Sequence, residues 1–383
     1  MRIALVIEHF EPRAGGVERV AWEVARGLAA AGDEVHVVAR SAEPADFATA
    51  HRVRAPAGWQ PLRVLAFSRA AARAAPRGAF DVVHSFSRTR HQDLYRAGGG
   101  SHADYLERRH GRLGAALRRL SPRHAVLLAM ERRVLADESQ QILCPSRRVA
   151  DELVSRHAIA RKRAVVIHNG VDLARFHPER RSEGARLRAE LGAGEAPVWL
   201  LVGSGWRRKG LDTALRALAA ARDVVARDAQ LWIAGRDHAG PWRARAAALG
   251  VAARVRFLGE RSDPERLYAA ADALLLPTRY DAFANSCLEA AAAGLPVVTS
   301  GANGAVDALG AGALVVADPE DTAGFAAALA ALCEPAARAA RALAARRAAE
   351  AHGWDRHVAA LRALYARIAS HSGRRADRAR GSA

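Results

Sequence analysis

Short runs of Val, Ile and Leu alternate along this chain with Ala/Leu stripes at helical spacing, and the scheme occurs twice. Apolar runs without polar alternation suit strands buried on both faces of a parallel sheet, and parallel strands need a crossover between them, usually a helix. The pattern predicts an α/β protein of two doubly wound, Rossmann-like units. In the first half, strands are expected at 2–8, Glu34–Ala39, Phe80–His84, Gln141–Cys144 and Ala164–His168. Val17, Val20, Ala21, Val24 and Leu28 mark the first helix, closed by Gly32. In the second half, strands fall near Val198–Val202, Gln230–Ala234, Arg254–Leu258, Ala273–Leu276, Pro296–Thr299 and Ala313–Val316. Leu211, Ala214, Leu215 and Leu218 line one face of a helix lying on that sheet.

A length of 383 residues accommodates two or three domains. The seam is placed at His168-Asn169-Gly170-Val171-Asp172, giving an N-terminal domain of residues 1–168 and a C-terminal domain of 169–353. The tail, 371–383, is rich in Arg, Gly and Ser and reads as basic and disordered. Only Lys162 and Lys209 among the 58 basic residues are lysines, and the net charge of +18 draws the chain towards polyanions: nucleic acid, an anionic membrane or phosphorylated substrates. Cys144, Cys287 and Cys333 lie far apart, without metal-ligand spacing, and read as reduced core thiols. The first residues meet Glu8 too early for a secretion signal, and no apolar run is long enough to span a membrane. A cytoplasmic address is expected.

Four constellations fall where strands end, the place where open α/β sheets bind ligands. Gly15-Gly16 follows the first strand and opens a helix, so a ligand can approach the backbone and the free N–H groups there. A plain tight turn reads the same way. Gly203-Ser204-Gly205-Trp206-Arg207-Arg208-Lys209-Gly210 joins a strand to a helix. Leu211 after Gly210 excludes a Walker loop, and the third glycine comes too late for a dinucleotide fingerprint. What remains is a group of cations at a helix start, suited to a diphosphate that gains charge as it leaves.

In the third, Asp281 and Glu289 bracket a loop-to-helix junction that runs on to Gly294-Leu295-Pro296. Asn285 or Ser286 is expected to cap that helix while its N–H groups face a phosphate. Glu289, one turn in, is placed to accept both hydroxyls of a ribose. The fourth is the stretch after Phe80–His84, which carries His84, His91, Asp93 and His102 and includes Gly98-Gly99-Gly100.

Together these segments resemble the retaining glycosyltransferases of family 4, which have the GT-B fold: two facing Rossmann-like domains with a cleft between them. Gly15-Gly16-Val17-Glu18, the helix to Gly32 and Glu34-Val35-His36-Val37 are similar to the family's opening. Asn169-Gly170-Val171-Asp172 resembles its interdomain segment, Arg208-Lys209-Gly210 its donor-phosphate loop, and Asp281 through Glu289 its E-x7-E signature. The Gly203–Gly210 segment and the stretch Asp93-Leu94-Tyr95, followed by Tyr105-Leu106-Glu107, are similar to the lipopolysaccharide-core glucosyltransferase I branch. One position departs: the first acid of the signature is Asp281, one methylene shorter than Glu.

The resemblance implies that the donor nucleotide binds the C-terminal domain, that the acceptor binds the N-terminal domain, and that the final helix, 354–370, returns to the latter. It implies no cofactor and no metal, the nucleotide-sugar being a substrate; the chain contains no Asp-x-Asp. By motif position Asp93 is the polar group expected beside the transferred sugar, with His91 and His102 as alternatives. Arg208 and Lys209 are expected to stabilise the leaving diphosphate and Asp281 to hold sugar hydroxyls. Glu289, with Gly203, Asn285 and Ser286, would bind the donor, and Gly15 and Gly16 would lie near the reaction centre.

The expected reaction is metal-independent transfer of a hexose, glucose from UDP-glucose, to an envelope glycan or glycolipid, with retention. A sugar-nucleotide epimerase of the same fold is the rival enzyme class, and a basic nucleic-acid-binding protein the rival outside enzymology. No nucleic-acid-binding motif accompanies the charge. Between Glu107 and Arg133, Arg108, Arg109, Arg112, Arg118, Arg119, Arg123, Arg132 and Arg133 interleave with leucines. That segment reads as one or two basic amphipathic helices able to lie on an anionic membrane surface, which would place the enzyme on the inner face of the cytoplasmic membrane.

Overall fold

The computed structural model describes residues 1–56, 58–221, 225 and 228–380, with side chains through residue 370. It divides into two compact units: Met1–Gly170 with the helix that starts at Trp354, and Val171–Gly353.

The first unit contains β1 (Arg2–Val6), β2 (His9–Phe10), β3 (Glu34–Ala39), β4 (Ser41–Ala42), β5 (Thr49–Arg52), β6 (Val82–Ser85), β7 (Leu94–Arg96), β8 (Gln141–Cys144) and β9 (Ala164–Val166). Seven form one sheet in the order β5-β3-β1-β6-β7-β8-β9, all pairs parallel, while β2 pairs only with β4. Successive side chains of β1 point to opposite faces, so Ile3 and Leu5 enter one apolar layer and Ala4 and Val6 the other. Four short strands escape the sequence reading, the pair β2 and β4 and, within the main sheet, β5 and β7. β5 is polar, and β7 has only 3 residues, one of them Arg96.

The helices of this unit are α1 (Gly16–Ala30), α2 (Gln60–Ala74), α3 (His102–Arg119), α4 (Pro122–Ala136), α5 (Arg147–His157) and the final helix, Trp354–Arg380. Val20, Val24 and Leu28 of α1 share a layer with Leu361, Leu364 and Tyr365 of the final helix. Gly27 permits that approach, because a Cβ there would lie 2.5 Å from Val358 Cγ2. On the other face Phe67 and Ala71 of α2 pack on Ala4 and Val6. The final helix runs to Arg380, into the stretch read as a disordered tail from residue 371. Arg and Ala are strong helix formers, and they carry the helix through Ser372 and Gly373. Residues 381–383 of that tail lie outside the described residues.

The second unit contains β10 (Val198–Val202), β11 (Gln230–Ala234), β12 (Val255–Gly259), β13 (Ala273–Leu276), β14 (Val297–Ser300) and β15 (Ala313–Val316), in the parallel order β12-β11-β10-β13-β14-β15. Around it lie α6 (Arg181–Glu190), α7 (Leu211–Ala220), α8 (Gly240–Ala248), α9 (Pro264–Ala270), α10 (Asn285–Ala292), α11 (Val306–Leu309), α12 (Thr322–Ala331) and α13 (Pro335–Glu350). Trp199, Leu200, Trp232, Ile233, Leu274 and Leu275 form the centre of its core.

Both main sheets reverse their winding once, between β1 and β6 in the first unit and between β10 and β13 in the second. Connections leave such a pair of strands towards opposite faces, which opens a crevice at their carboxyl ends. Among the described residues no helix is long and apolar enough to cross a membrane.

Candidate active site

At the switch point of the second unit, β10 runs into Gly203, whose φ of +123° only glycine adopts readily. The following turn is closed internally: the Lys209 N–H donates to Gly205 O at 2.9 Å and the Leu211 N–H to Trp206 O at 3.0 Å. The Asp237 carboxylate accepts the N–H groups of Gly205 (2.7 Å) and Trp206 (3.1 Å). These N–H groups are engaged within the protein, so the loop's evident offer to an anion is its side-chain cations. Gly210 then adopts φ +79°, and a Cβ there would lie 1.8 Å from Pro277 O. That backbone-on-backbone contact seats the segment after β13 against the loop after β10.

Asp281 is delivered by this packing. Lys209 Nζ lies 2.7 Å and Arg208 Nη1 2.8 Å from the same oxygen, Asp281 Oδ2, and Arg208 also donates to Tyr280 O at 3.1 Å. Burial works against ionisation of Asp281, yet Lys209 and then Arg208 hold its carboxyl down at about 2. One carboxylate between two cations leaves the trio with net charge +1. The Lys209 side chain is 9% exposed and that of Arg208 31%, so the lysine is fixed while the guanidinium reaches solvent. Charges fixed in a partly dry site act on a second anion without reorganisation.

Helix α10 begins at Asn285, and its N-cap is Ala284 with no side-chain cap. Asn285 and Ser286 are therefore first-turn residues rather than the cap that the sequence suggests. The reason is Asn303, a buried residue that sequence reading missed. Its Oδ1 accepts the Ala284 N–H (3.3 Å) and the Ala305 N–H (3.0 Å), and its Nδ2 donates to Thr299 Oγ1 (3.1 Å) and Cys287 Sγ (3.2 Å). Ser286 Oγ is buried without a hydrogen-bond partner among the described residues, at the start of this helix. One turn in, Glu289 Oε2 accepts the Tyr268 hydroxyl at 2.8 Å, which orients the carboxylate. No hydrogen bond joins Glu289 to the Asp281 trio. Tyr268, Asn303 and Asp237 are long-range partners and leave no spacing signal in the sequence.

In the first unit, Gly15 is the N-cap of α1, without a side-chain cap, and Gly16 is its first residue. Asp93, expected beside the transferred sugar, lies at the wrong edge of the sheet. Its Oδ2 accepts the Val83 N–H at 2.8 Å and its backbone O the Gln141 N–H at 2.9 Å, at the amino ends of β6 and β8. His91 shares that edge, accepting Arg77 Nε at 3.1 Å. Unseen in the sequence, β7 puts these residues before a strand instead of after one.

His102 does follow the carboxyl end of β7. Its N–H donates to both oxygens of buried Glu131 at 3.0 Å, and its Nε2 lies 3.0 Å from His124 Nδ1. Burial, and then the Arg88 charge, push the His102 imidazole down to about 4. Burial opposes ionisation of Glu131, but His157 at 3.5 Å, Arg88 at 2.6 Å and the His102 N–H hold its carboxyl at about 2. Arg96, also missed, is buried at the end of β7, donates to Asn169 Oδ1 at 2.5 Å and leaves Nε and Nη1 without hydrogen-bond partners among the described residues.

Two doubly wound units of this strand order, matched along nearly the whole chain by a solved glycosyltransferase, have the GT-B fold. The chain superposes on the crystal structure of WaaG, a glycosyltransferase of lipopolysaccharide biosynthesis, with a TM-score of 0.82 and 25% identity, over 94% of this chain and 98% of that one. Residues 14–175 match the model of Glycosyltransferase Family 4 and residues 196–335 that of the glycosyl transferases group 1. The chain belongs to glycosyltransferase family 4. It is 30% identical to the lipopolysaccharide glucosyltransferase WaaG of Escherichia coli K12 over 57% of this chain. It is 34% identical to the D-inositol 3-phosphate glycosyltransferase of Salinispora arenicola over 61%. Those matches span 59% and 56% of the relatives' own lengths, less than two thirds.

Proposed function

We propose that this protein moves a hexose, glucose from UDP-glucose, to a hydroxyl of an envelope glycan or glycolipid, with retention at the anomeric carbon and without a metal. The observation that carries the reading is the Arg208–Lys209–Asp281 trio at the carboxyl ends of β10 and β13. In such a transfer the bond from the anomeric carbon to the phosphate oxygen breaks and a bond to the acceptor oxygen forms. The acceptor proton passes to an oxygen of the departing phosphate, and the remaining negative charge collects on the diphosphate. Arg208 and Lys209 would neutralise that charge, and Asp281 keeps both cations in place before the donor arrives. Glu289, steadied by Tyr268, has its other oxygen left for a ribose hydroxyl. A lipopolysaccharide glucosyltransferase and a D-inositol 3-phosphate glycosyltransferase among the relatives support the sugar-transfer reading.

The test is a thermal-shift panel of UDP, GDP, ADP and their sugars. A ligand at about 100 times its dissociation constant adds roughly 2.7 kcal/mol of stability. Stabilisation by UDP and UDP-glucose above the others is expected; stabilisation by none of them overturns the reading, and isomerisation of the donor without an acceptor would point to an epimerase.

A specific observation favours a membrane-surface address as well. Leu113, Leu117 and Leu120 fall at helical spacing around the end of α3 and are each more than two-thirds exposed. Arg112 and Arg118 flank them with no ion pair among the described residues, whereas Arg108, Arg109 and Arg119 are engaged by Glu152, Tyr105 and Glu107. A helix with this pattern rests leucines among lipid headgroups while free arginines meet anionic lipid, each worth about 1 kcal/mol. Binding to anionic vesicles that weakens with salt and is lost in Leu113→Ser/Leu117→Ser is expected; equal binding to neutral vesicles refutes it.

A further inference from the structure

We infer that Arg96 and His84, enclosed between the sheet of the first unit and its final helix, hold a small monovalent anion of halide size. His84 and Leu94 are partners in the ladder of β6 and β7, so their side chains share one face, and Phe86 and Arg96, two residues on, share it too. The final helix covers that face, since Phe86 and Leu94 join an apolar layer with Leu361, Leu364 and Tyr365. The Phe86 ring lies 4.5 Å from that of His84 and 5.7 Å from Arg96 Cζ, which sets both polar groups against one apolar wall.

Arg96 is 3% exposed, and burial lowers its guanidinium to about 10, which leaves it charged at neutral pH. Buried charges are ordinarily paired. Arg96 has no ion pair among the described residues. Its one hydrogen bond there runs from Nη2 to the neutral Asn169 Oδ1, and Nε and Nη1 have none. The surroundings add a donor but no charge. The buried Tyr365 hydroxyl lies 2.6 Å from His84 Nδ1 and has no other partner among the described residues, so it donates. The His84 ring proton then sits on Nε2, which is also buried without a partner. Burial, and then the Arg96 charge, keep this imidazole well below 6.5 and neutral. Gly98 keeps side-chain carbon away from Arg96 Nε, the first atom that a Cβ there would meet, at 3.4 Å.

N–H donors around one uncompensated positive charge suit an anion, and enclosure by sheet and helix excludes a sugar or a phosphate ester. His357 is not among the partners: its Nδ1 donates to His168 O at 2.6 Å, so its unpartnered Nε2 is an acceptor. The anion joins β6 and β7 to the final helix and, through Asn169, to the point where the chain leaves the unit after Gly170.

The site does not depend on the transfer reading. Crystals of the full chain grown in bromide should show an anomalous peak in contact with Arg96 Nε and Nη1. Density there without anomalous signal is a water bridging Arg96 to His357, and overturns the assignment. In solution, replacing gluconate by bromide at constant ionic strength should raise the unfolding midpoint, as a ligand of the folded state does. Arg96→Met removes the charge at similar volume. It should match or exceed the parent's stability in gluconate, because the unpaired charge is gone, and gain nothing from bromide. A merely structural arginine would instead cost stability in both salts. His84→Leu keeps the guanidinium and should weaken bromide binding about tenfold, the scale for one hydrogen bond to a charge. A parent midpoint indifferent to bromide, or a parent-like bromide response in either variant, overturns the site.

Discussion

At the carboxyl ends of β10 and β13, Arg208 and Lys209 meet one oxygen of Asp281; beyond β1 and β3, Arg40 and Arg63 meet one oxygen of Glu8. The charge pattern is the same, but the support differs. In the second unit, glycines let backbone press on backbone. A Cβ at Gly210 would lie 1.8 Å from Pro277 O, and one at Gly235 would lie 2.5 Å from Gly203 O. In the first unit a Cβ at Gly15 meets only the end of the Glu18 side chain at 2.6 Å, and one at Gly99 meets nothing. A site that must neutralise charge as it develops gains from rigid cations, whereas one that receives acceptors needs only to bind them. The second unit is built for the first task and the first unit suits the second.

The largest effect should come from breaking the backbone contact. Gly210→Ala combines a left-handed backbone, at about 1–3 kcal/mol, with an overpacked contact of about 1–3 kcal/mol, so a loss near 4 kcal/mol is expected. Denaturation followed by the buried tryptophans of that unit, Trp199, Trp206 and Trp232, is the measurement. A loss under about 1 kcal/mol would show that the two loops yield easily, and the contrast between the units would dissolve.

Next comes the charge itself. Lys209→Ala should lower turnover about 10²-fold or more, the scale for one preorganised stabiliser of developing charge. Glu289→Gln keeps the shape and should weaken UDP binding instead. Parent-like turnover in the first variant and parent-like UDP affinity in the second would remove the roles proposed for them.

Much of the second unit's site was legible because each of its cations and carboxylates sits in a short segment between a strong strand and a helix. Gly203–Gly210 follows Val198–Val202, and Asp281–Glu289 follows Ala273–Leu276. What was illegible there is the tertiary support: Asp237, Tyr268 and Asn303 act across distances that no periodicity records. The first unit was read less well for a local reason. β7 is three residues ending in Arg96, too short and too polar to register as a strand, so Asp93 and His91 seemed to follow β6 into a ligand-binding loop. They precede β7 and lie at the amino ends of the strands. Glu8, Arg40 and Arg63 gave no signal because three separate elements bring them together.

Acid should sharpen the comparison. Asp281 and Glu131 are both held at about 2, against 3.8 and 4.5 for unperturbed groups. A folded-state value below the unfolded one means that the unfolded chain binds protons first as pH falls. The stabilisation is complete above about pH 5 and is lost as pH drops through 4 towards 2. Each group should contribute on the order of 2–3 kcal/mol. Asp281→Asn should flatten the acid limb of the second unit's unfolding and Glu131→Gln that of the first. An unchanged acid limb in either variant would mean that its carboxylate is not the group responsible.

The smallest effect on stability is expected at Gly15, and it is the sharpest test of the contrast. Its φ of −178° is extended backbone that alanine adopts without strain. The added Cβ would touch only the Glu18 carboxylate, the far end of a flexible chain that can turn aside. The remaining cost is the exchange of Gly for Ala at an N-cap, below about 1 kcal/mol. Thermal unfolding of Gly15→Ala should therefore match the parent closely, unlike Gly210→Ala. If Gly15 and Gly16 admit a ligand to the start of α1, the same methyl group should still lower transfer tenfold or more, by occupying the space the ligand needs. Full activity with full stability would show that no ligand approaches there, and that this glycine pair does no more than turn the chain.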